Sequence, residues 1–315
     1  MLSAAPSEVT TIPTEVFLAV VMVAFSLIPV TLLGVTRQRD WGAGRAHRIS
    51  VRAKLPFGSD ETARNVAARA RSIFRANLWG SLIAIAVVAS GILLVPLGLD
   101  GSSVGFAAML IVWGSLTAST AIVTVRERLF SPAPTAPRIA RTHPLRRSDY
   151  VGPWRRFIPW VLLGVGLASV VAIFATAPTR GFAPTGLALV AAAAVFAVIV
   201  SAAGRWAEHR VLAQPQPAAD SLELAWDDLF RADALNNLRL GMTLGTALVI
   251  TCTASLWLDA SWPRGATSLP AFPVWWGMFL LPFLFTAASE RLPAALYPAH
   301  LTHPAVQRHE GTALA

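Results

Sequence analysis

Asp227, Asp228 and Asp233 form a carboxylate cluster with Arg231 set inside it, in a chain of 315 residues that has few acidic side chains. Carboxylates so spaced are the groups that hold a divalent ion against a phosphate substrate. Membrane transferases that work this way bring two acidic motifs to one cavity, and this sequence offers one. A solvated helix face and a docking surface for a protein partner are the competing readings. Asp227, Asp228, Arg231 and Asp233 are therefore taken as partner-docking candidates, with no catalytic, cofactor-binding or metal-ligating residue assigned.

The other chemistry-bearing groups are weaker signals. His300 and His303 sit one helical turn apart, but Pro304 follows and no third ligand or catalytic glutamate accompanies them. His47, His143, His209 and His309 are scattered. Thr243, Thr246, Thr251, Thr253 and Ser255 put five hydroxyls on one apolar stretch. Such hydroxyls bond back to the preceding turn or across to a neighbouring helix, and more rarely line a polar path. Cys252 is the single cysteine, so it has no intrachain disulfide partner. Phosphate-cradling glycine loops, dinucleotide signatures and G-x-S-x-G elbows are absent from the sequence.

The elements that position these residues are apolar. Stretches at about 16–36, 76–99, 103–125, 157–178, 184–204, 240–258 and 269–289 carry no charged side chain. A hydrocarbon core of roughly 30 Å needs about 20 such residues in helix. A soluble amphipathic helix would show charges every few positions on its wet face. Mean hydropathy is +0.57. The expected fold is all-α: a polytopic transmembrane bundle of about seven spans forming one integral membrane domain over 1–315.

Charge sets the expected orientation. Of 26 Lys and Arg residues, 24 fall in the connectors 37–75, 126–156 and 205–239 and in the tail 290–315. Positive residues are retained on the cytoplasmic side during insertion. The N-terminus is thus expected outside and the C-terminus inside, as an odd number of spans requires. The first span has Glu8 and Glu15 before it and Arg37 and Arg39 after it, the reverse of a cleaved signal. The net charge of +9 follows from this asymmetry and carries no nucleic-acid motif. A retinal protein needs a lysine inside the bilayer, and Lys54, the lone lysine, is in a connector. The preference for arginine and alanine points to a GC-rich genome and an actinobacterial plasma membrane.

Two connectors contain amphipathic helices. One begins at Ser59 as N-cap, with Val66, Ala70, Ile73 and Phe74 on its apolar face; its arginines suit a position at the headgroup layer. The other begins at Asp220, with Glu223 three residues on, and gathers Leu222, Trp226, Leu229 and Phe230 in a stripe suited to packing on protein. The five residues from Ile73 to Asn77 are echoed from Leu229 to Asp233, a faint internal repeat. Five prolines in 131–153 exclude a continuous helix there. Gly80-x-x-x-Ala84 and Gly241-x-x-x-Gly245 permit close helix approach.

The chain resembles the uncharacterised multi-pass membrane proteins of actinobacteria, in many of which a cytoplasmic D-D-x-x-R element precedes a late hairpin; here that element runs from Asp227 to Arg231. The resemblance implies no activity, substrate or site residue. The functional expectation is a permease-like or scaffold subunit without a catalytic set or cofactor, seated in the bilayer with a cytoplasmic protein partner and no nucleic acid. The alternatives are a membrane-embedded enzyme acting on a lipid or phosphate substrate through a divalent ion, and a small-molecule exporter.

Overall fold

In the computed structural model the described residues are 26–94, 114–115, 118–119, 122–123, 126, 145–214, 220–261, 293 and 296–297. They contain helices and no strand. In chain order the helices are α1 (Ser26–Val35), α2 (Arg39–Ala53), α3 (Asp60–Leu94), α4 (Arg147–Tyr150), α5 (Pro153–Arg180), α6 (Pro184–Ala213) and α7 (Ser221–Ser261). Gly114, Ser115, Ala118, Ser119, Ile122, Val123 and Arg126 are also helical. Four helices, α3, α5, α6 and α7, are long and apolar enough to cross a membrane. They carry the expected spans 157–178, 184–204 and 240–258 and, of 76–99, the described residues 76–94. α1 is the described part of 16–36, and 269–289 lies outside the described residues.

Among the described helices α7 is the most deeply buried. Its most apolar window is 67 % buried against other helices, whereas that of α5 is 17 % buried. α5 and α6 form a hairpin closed by Gly181, in the left-handed region at φ 64°, with Pro184 at the first position of α6. Val161, Val165, Val171, Val195 and Ile199 point outward from these two helices and are more than half exposed. Apolar groups so displayed match a lipid solvent, since hydrocarbon takes the place of a covering layer.

At 41 residues α7 is about 60 Å long, roughly twice the thickness of a hydrocarbon core. The acidic amphipathic segment and the span 240–258 are one rod, because no proline or glycine interrupts 221–240. α3 is built the same way: its Ser59 cap, accepting a bond from the Thr62 amide at 3.1 Å, starts a helix that runs into its span without a break. The headgroup-layer position expected for 59–75 gives way to protein packing. Val66 and Ala70 are buried against Ala46 and Ile49 of α2 and Trp226 and Leu229 of α7. α2 itself escapes sequence reading, since Gly42, Gly44 and frequent arginines hide a stripe of Ala46, Ile49 and Ala53.

Three cores are stacked along α7. The first is the α2–α3–α7 cluster around Trp226; the second joins Tyr150, Ala207, Val211, Leu235 and Leu238; the third joins Val190, Ala193 and Ala197 of α6 to Leu248, Val249 and Cys252. Close approach is set by small residues. A Cβ on Gly80 would meet the Ser115 carbonyl at 3.0 Å, and one on Gly204 would meet Met242 at 2.6 Å. The echoed segments face one another: Ile73, Phe74 and Asn77 line one side of a small cleft, and their counterparts Leu229, Phe230 and Asp233 line the other.

The loop into α3 is pinned to the start of α7. Trp226 Nε1 donates to the Pro56 carbonyl at 3.0 Å, and Phe57 stacks on the indole with centroids 5.5 Å apart. Gly58 has φ 74°, and a Cβ there would collide with Leu222 Cδ2. Gly58→Ala combines backbone strain with overpacking, an expected loss of about 2 kcal/mol. The midpoint of detergent unfolding followed by circular dichroism checks it; an unchanged midpoint would mean the loop does not bear on α7.

Candidate functional site

The first half of α7 carries the acidic cluster, and helix periodicity distributes its members over different neighbours. Asp227 and Arg231, four residues apart, pair through Oδ2 and Nε at 2.7 Å. The same guanidinium donates to the Val211 and Gln214 carbonyls, both at 2.9 Å. Those carbonyls belong to the end of α6, where a helix leaves its last acceptors without an internal donor. A cation also favours the negative end of the helix dipole. Arg231 thus closes α6, and Asp227 orients it.

Asp228 is fully buried. Its Oδ1 accepts from the Tyr150 hydroxyl and its Oδ2 from the Tyr297 hydroxyl, each at 2.8 Å. These are the two tyrosines of the whole chain. The carboxylate joins α7 to α4 and to the segment following 269–289. Asp233 is half-buried and accepts from Asn237 at 3.2 Å. Of the four residues singled out from sequence, Asp228 and Arg231 therefore face inward, while Asp227 and Asp233 keep partial exposure. The solvated face expected for the aspartates forms only in part: Asp227 and Asp233 keep some exposure, whereas Asp228 turns inward to Tyr150 of α4.

About two to three turns closer to the spans along α7 lies a second polar centre. Glu208 of α6 is fully buried, and Arg239 of α7 is 1 % exposed. Arg239 donates from one terminal nitrogen to Glu208 Oε2 at 2.8 Å, and its Nε contacts Oε1. The other terminal nitrogen donates to the Arg156 carbonyl at 2.8 Å. Arg147 and Arg205 approach Oε2 at 3.5 and 3.8 Å. One carboxylate thus gathers three guanidinium groups from α4, α6 and α7. Arg155 adds a bond to Asn236 at 3.3 Å. Burial of charge is tolerable only with such pairing, and removal of one member is far costlier than removal of both.

Sequence reasoning passed over Glu208, Arg239, Tyr150 and Tyr297. The available signals were a lone glutamate just past an apolar run, and the two tyrosines placed outside the spans in a chain otherwise lacking them. The pairings themselves bridge 31, 78 and 69 positions, and periodicity does not reach that far.

Four of the five hydroxyls in the row on α7 bond back to their own helix, and the buried Ser255 Oγ has no such bond. Thr243, Thr246, Thr251 and Thr253 are buried and donate to carbonyls three or four residues back. Thr253 also meets Ser169 of α5 at 3.0 Å, a link across helices. Cys252 is buried in the third core. His47 and His209 are exposed and far apart in sequence, and the other four histidines lie outside the described residues. Among the described residues no three His, Cys, Asp or Glu side chains are grouped to hold a metal ion.

A lateral cavity of about 450 Å³ adjoins this polar end, bounded by α6, α7 and the helical residues of 114–126. Compared with protein-family models, with curated proteins and with solved structures, the chain gives no match.

Proposed function

We propose that the chain is a non-catalytic integral membrane subunit, permease-like or scaffold in kind, working with a cytoplasmic protein partner at a bacterial plasma membrane. In this reading it has seven spans, with the N-terminus outside. The polar ends of α3, α5, α6 and α7 then stand in the cytosol, where the arginine-rich connectors belong.

The observation that carries the proposal is the length of α7 and α3 beyond any bilayer requirement, braced by α2 around a core of their own. A helical stalk with a packed interior is an expensive way to connect two spans, and a natural way to present a surface. Exposed on α2 are His47, Arg48, Val51 and Arg52, and α7 contributes the partly exposed Asp227 and Asp233. The enzyme alternative needs Asp227 and Asp228 free for an ion, whereas Arg231 and two tyrosine hydroxyls occupy them. The exporter alternative draws on threonines whose hydroxyls turn back to their own helix.

Affinity capture of tagged full-length protein in mild detergent tests the proposal. Wild type should retain a partner that the Arg48→Glu/Arg52→Glu variant loses, because both changes reverse charge on the exposed face of α2. Identical partner sets, or none with wild type, would count against it.

A further inference from the structure

We propose that the lateral cavity beside Trp206 is a binding site for one anionic glycerophospholipid, its acyl chain between the helices and its phosphate on Arg126. The site does not depend on the partner proposed above.

Gly114, Ala118, Ile122 and Arg126 recur every four residues, so they form one row along one helix face. The row spans about 18 Å, from Gly114 at depth to Arg126 at the polar end. Across from it, α6 and α7 present small residues, among them Ala203, Gly204, Ala207 and Gly241. At about 450 Å³ the cavity is of small-ligand size. Its walls are almost wholly apolar, so water within it would lack hydrogen-bonding partners. It opens sideways from helices whose outer faces are apolar. The medium there is hydrocarbon, and an acyl chain is the group that fills such a space at no polar cost.

Charge at the mouth selects the headgroup. Arg126 is exposed at the cavity's polar end. Trp206 is 58 % exposed on the same rim, with the Arg210 guanidinium over its ring at 5.4 Å. Arg205 sits one residue before it, its side chain nearly half exposed. An indole with arginines around it is the arrangement of a membrane interface. Arginine binds phosphate oxygens with paired, charge-assisted hydrogen bonds, which a zwitterionic headgroup offsets with its own cation.

Native mass spectrometry of the full-length protein, released from nanodiscs of equal phosphatidylglycerol and phosphatidylcholine, tests the site. Wild type should retain one phospholipid, with phosphatidylglycerol favoured about five-fold or more, the contribution of one arginine beside an anionic surface. Ala118→Trp, at an exposed position on the cavity wall, should lose the retained lipid. Arg126→Gln should keep a lipid and lose the preference. Helix content by circular dichroism verifies folding, and Ile122→Trp replaces Ala118→Trp if the latter misfolds. The proposal is overturned by wild type that retains no lipid, by retention indifferent to the filled cavity, or by a preference that survives Arg126→Gln.

Discussion

Arg239→Met is expected to destabilise the folded protein by about 3–5 kcal/mol, the usual cost of stranding one member of a buried ion pair. Glu208 would keep Arg147 and Arg205 at 3.5 and 3.8 Å, but would lose its one close, doubly contacting partner. The Arg156 carbonyl would lose a donor as well. The double variant Glu208→Leu/Arg239→Met removes both charges and substitutes apolar bulk, so it should recover most of the loss. The comparison is a double-mutant cycle on detergent-unfolding midpoints. If the two single losses simply add in the double variant, the pair does not fasten α6 to α7.

Asp228→Leu should cost about 3 kcal/mol or more, because two charge-assisted hydrogen bonds go with the carboxylate and two hydroxyls are left without their acceptor. Tyr150→Phe and Tyr297→Phe should each cost about 1–2 kcal/mol alone, and close to nothing in the Asp228→Leu background. The same protein discriminates the metal alternative. With both carboxylate oxygens engaged by hydroxyls, titration of wild type with Mg²⁺ or Mn²⁺ should give no binding heat and no rise in the unfolding midpoint. Stabilisation by either ion, lost on Asp228→Leu, would return the cluster to ion-binding chemistry.

These two centres show what sequence periodicity could and could not reveal. Hydrocarbon excludes charge, so charge-free runs mark α3, α5, α6 and α7 directly. Helix starts were equally legible, since an N-cap is local: Ser59 and Asp220 each accept from the amide three residues on. The partners of Asp228 and Glu208 were not, because a polar residue facing water and one facing a buried hydroxyl look alike along the chain. The same ambiguity made Asp227, Asp228 and Asp233 resemble a wet surface. Continuity of α7 was available in principle, as nothing between Ser221 and Leu240 breaks a helix. The polar run through Asn236 and Asn237 disguised it as a connector. α2 has the opposite difficulty: its stripe is short, and its glycines argue against helix until α3 and α7 supply a surface to pack on.

The D-D-x-x-R element takes a physical meaning from these contacts. Asp227 aims Arg231, Arg231 closes the end of α6, and Asp228 collects α4 and the segment containing Tyr297. It fastens four segments at one level within the polar half of α7.

Placing that junction on the inner face of the membrane is open to direct measurement. In a Cys252→Ala background, single cysteines at Thr179 and Ser221, both exposed, are labelled with a membrane-impermeant maleimide in intact cells and in inverted vesicles. Thr179→Cys, beside the α5–α6 turn, should react in cells, and Ser221→Cys, at the far end of α7, only in inverted vesicles. Reaction of both from the same side, or of Ser221→Cys in intact cells, would contradict a helix that crosses the bilayer and continues into the cytosol.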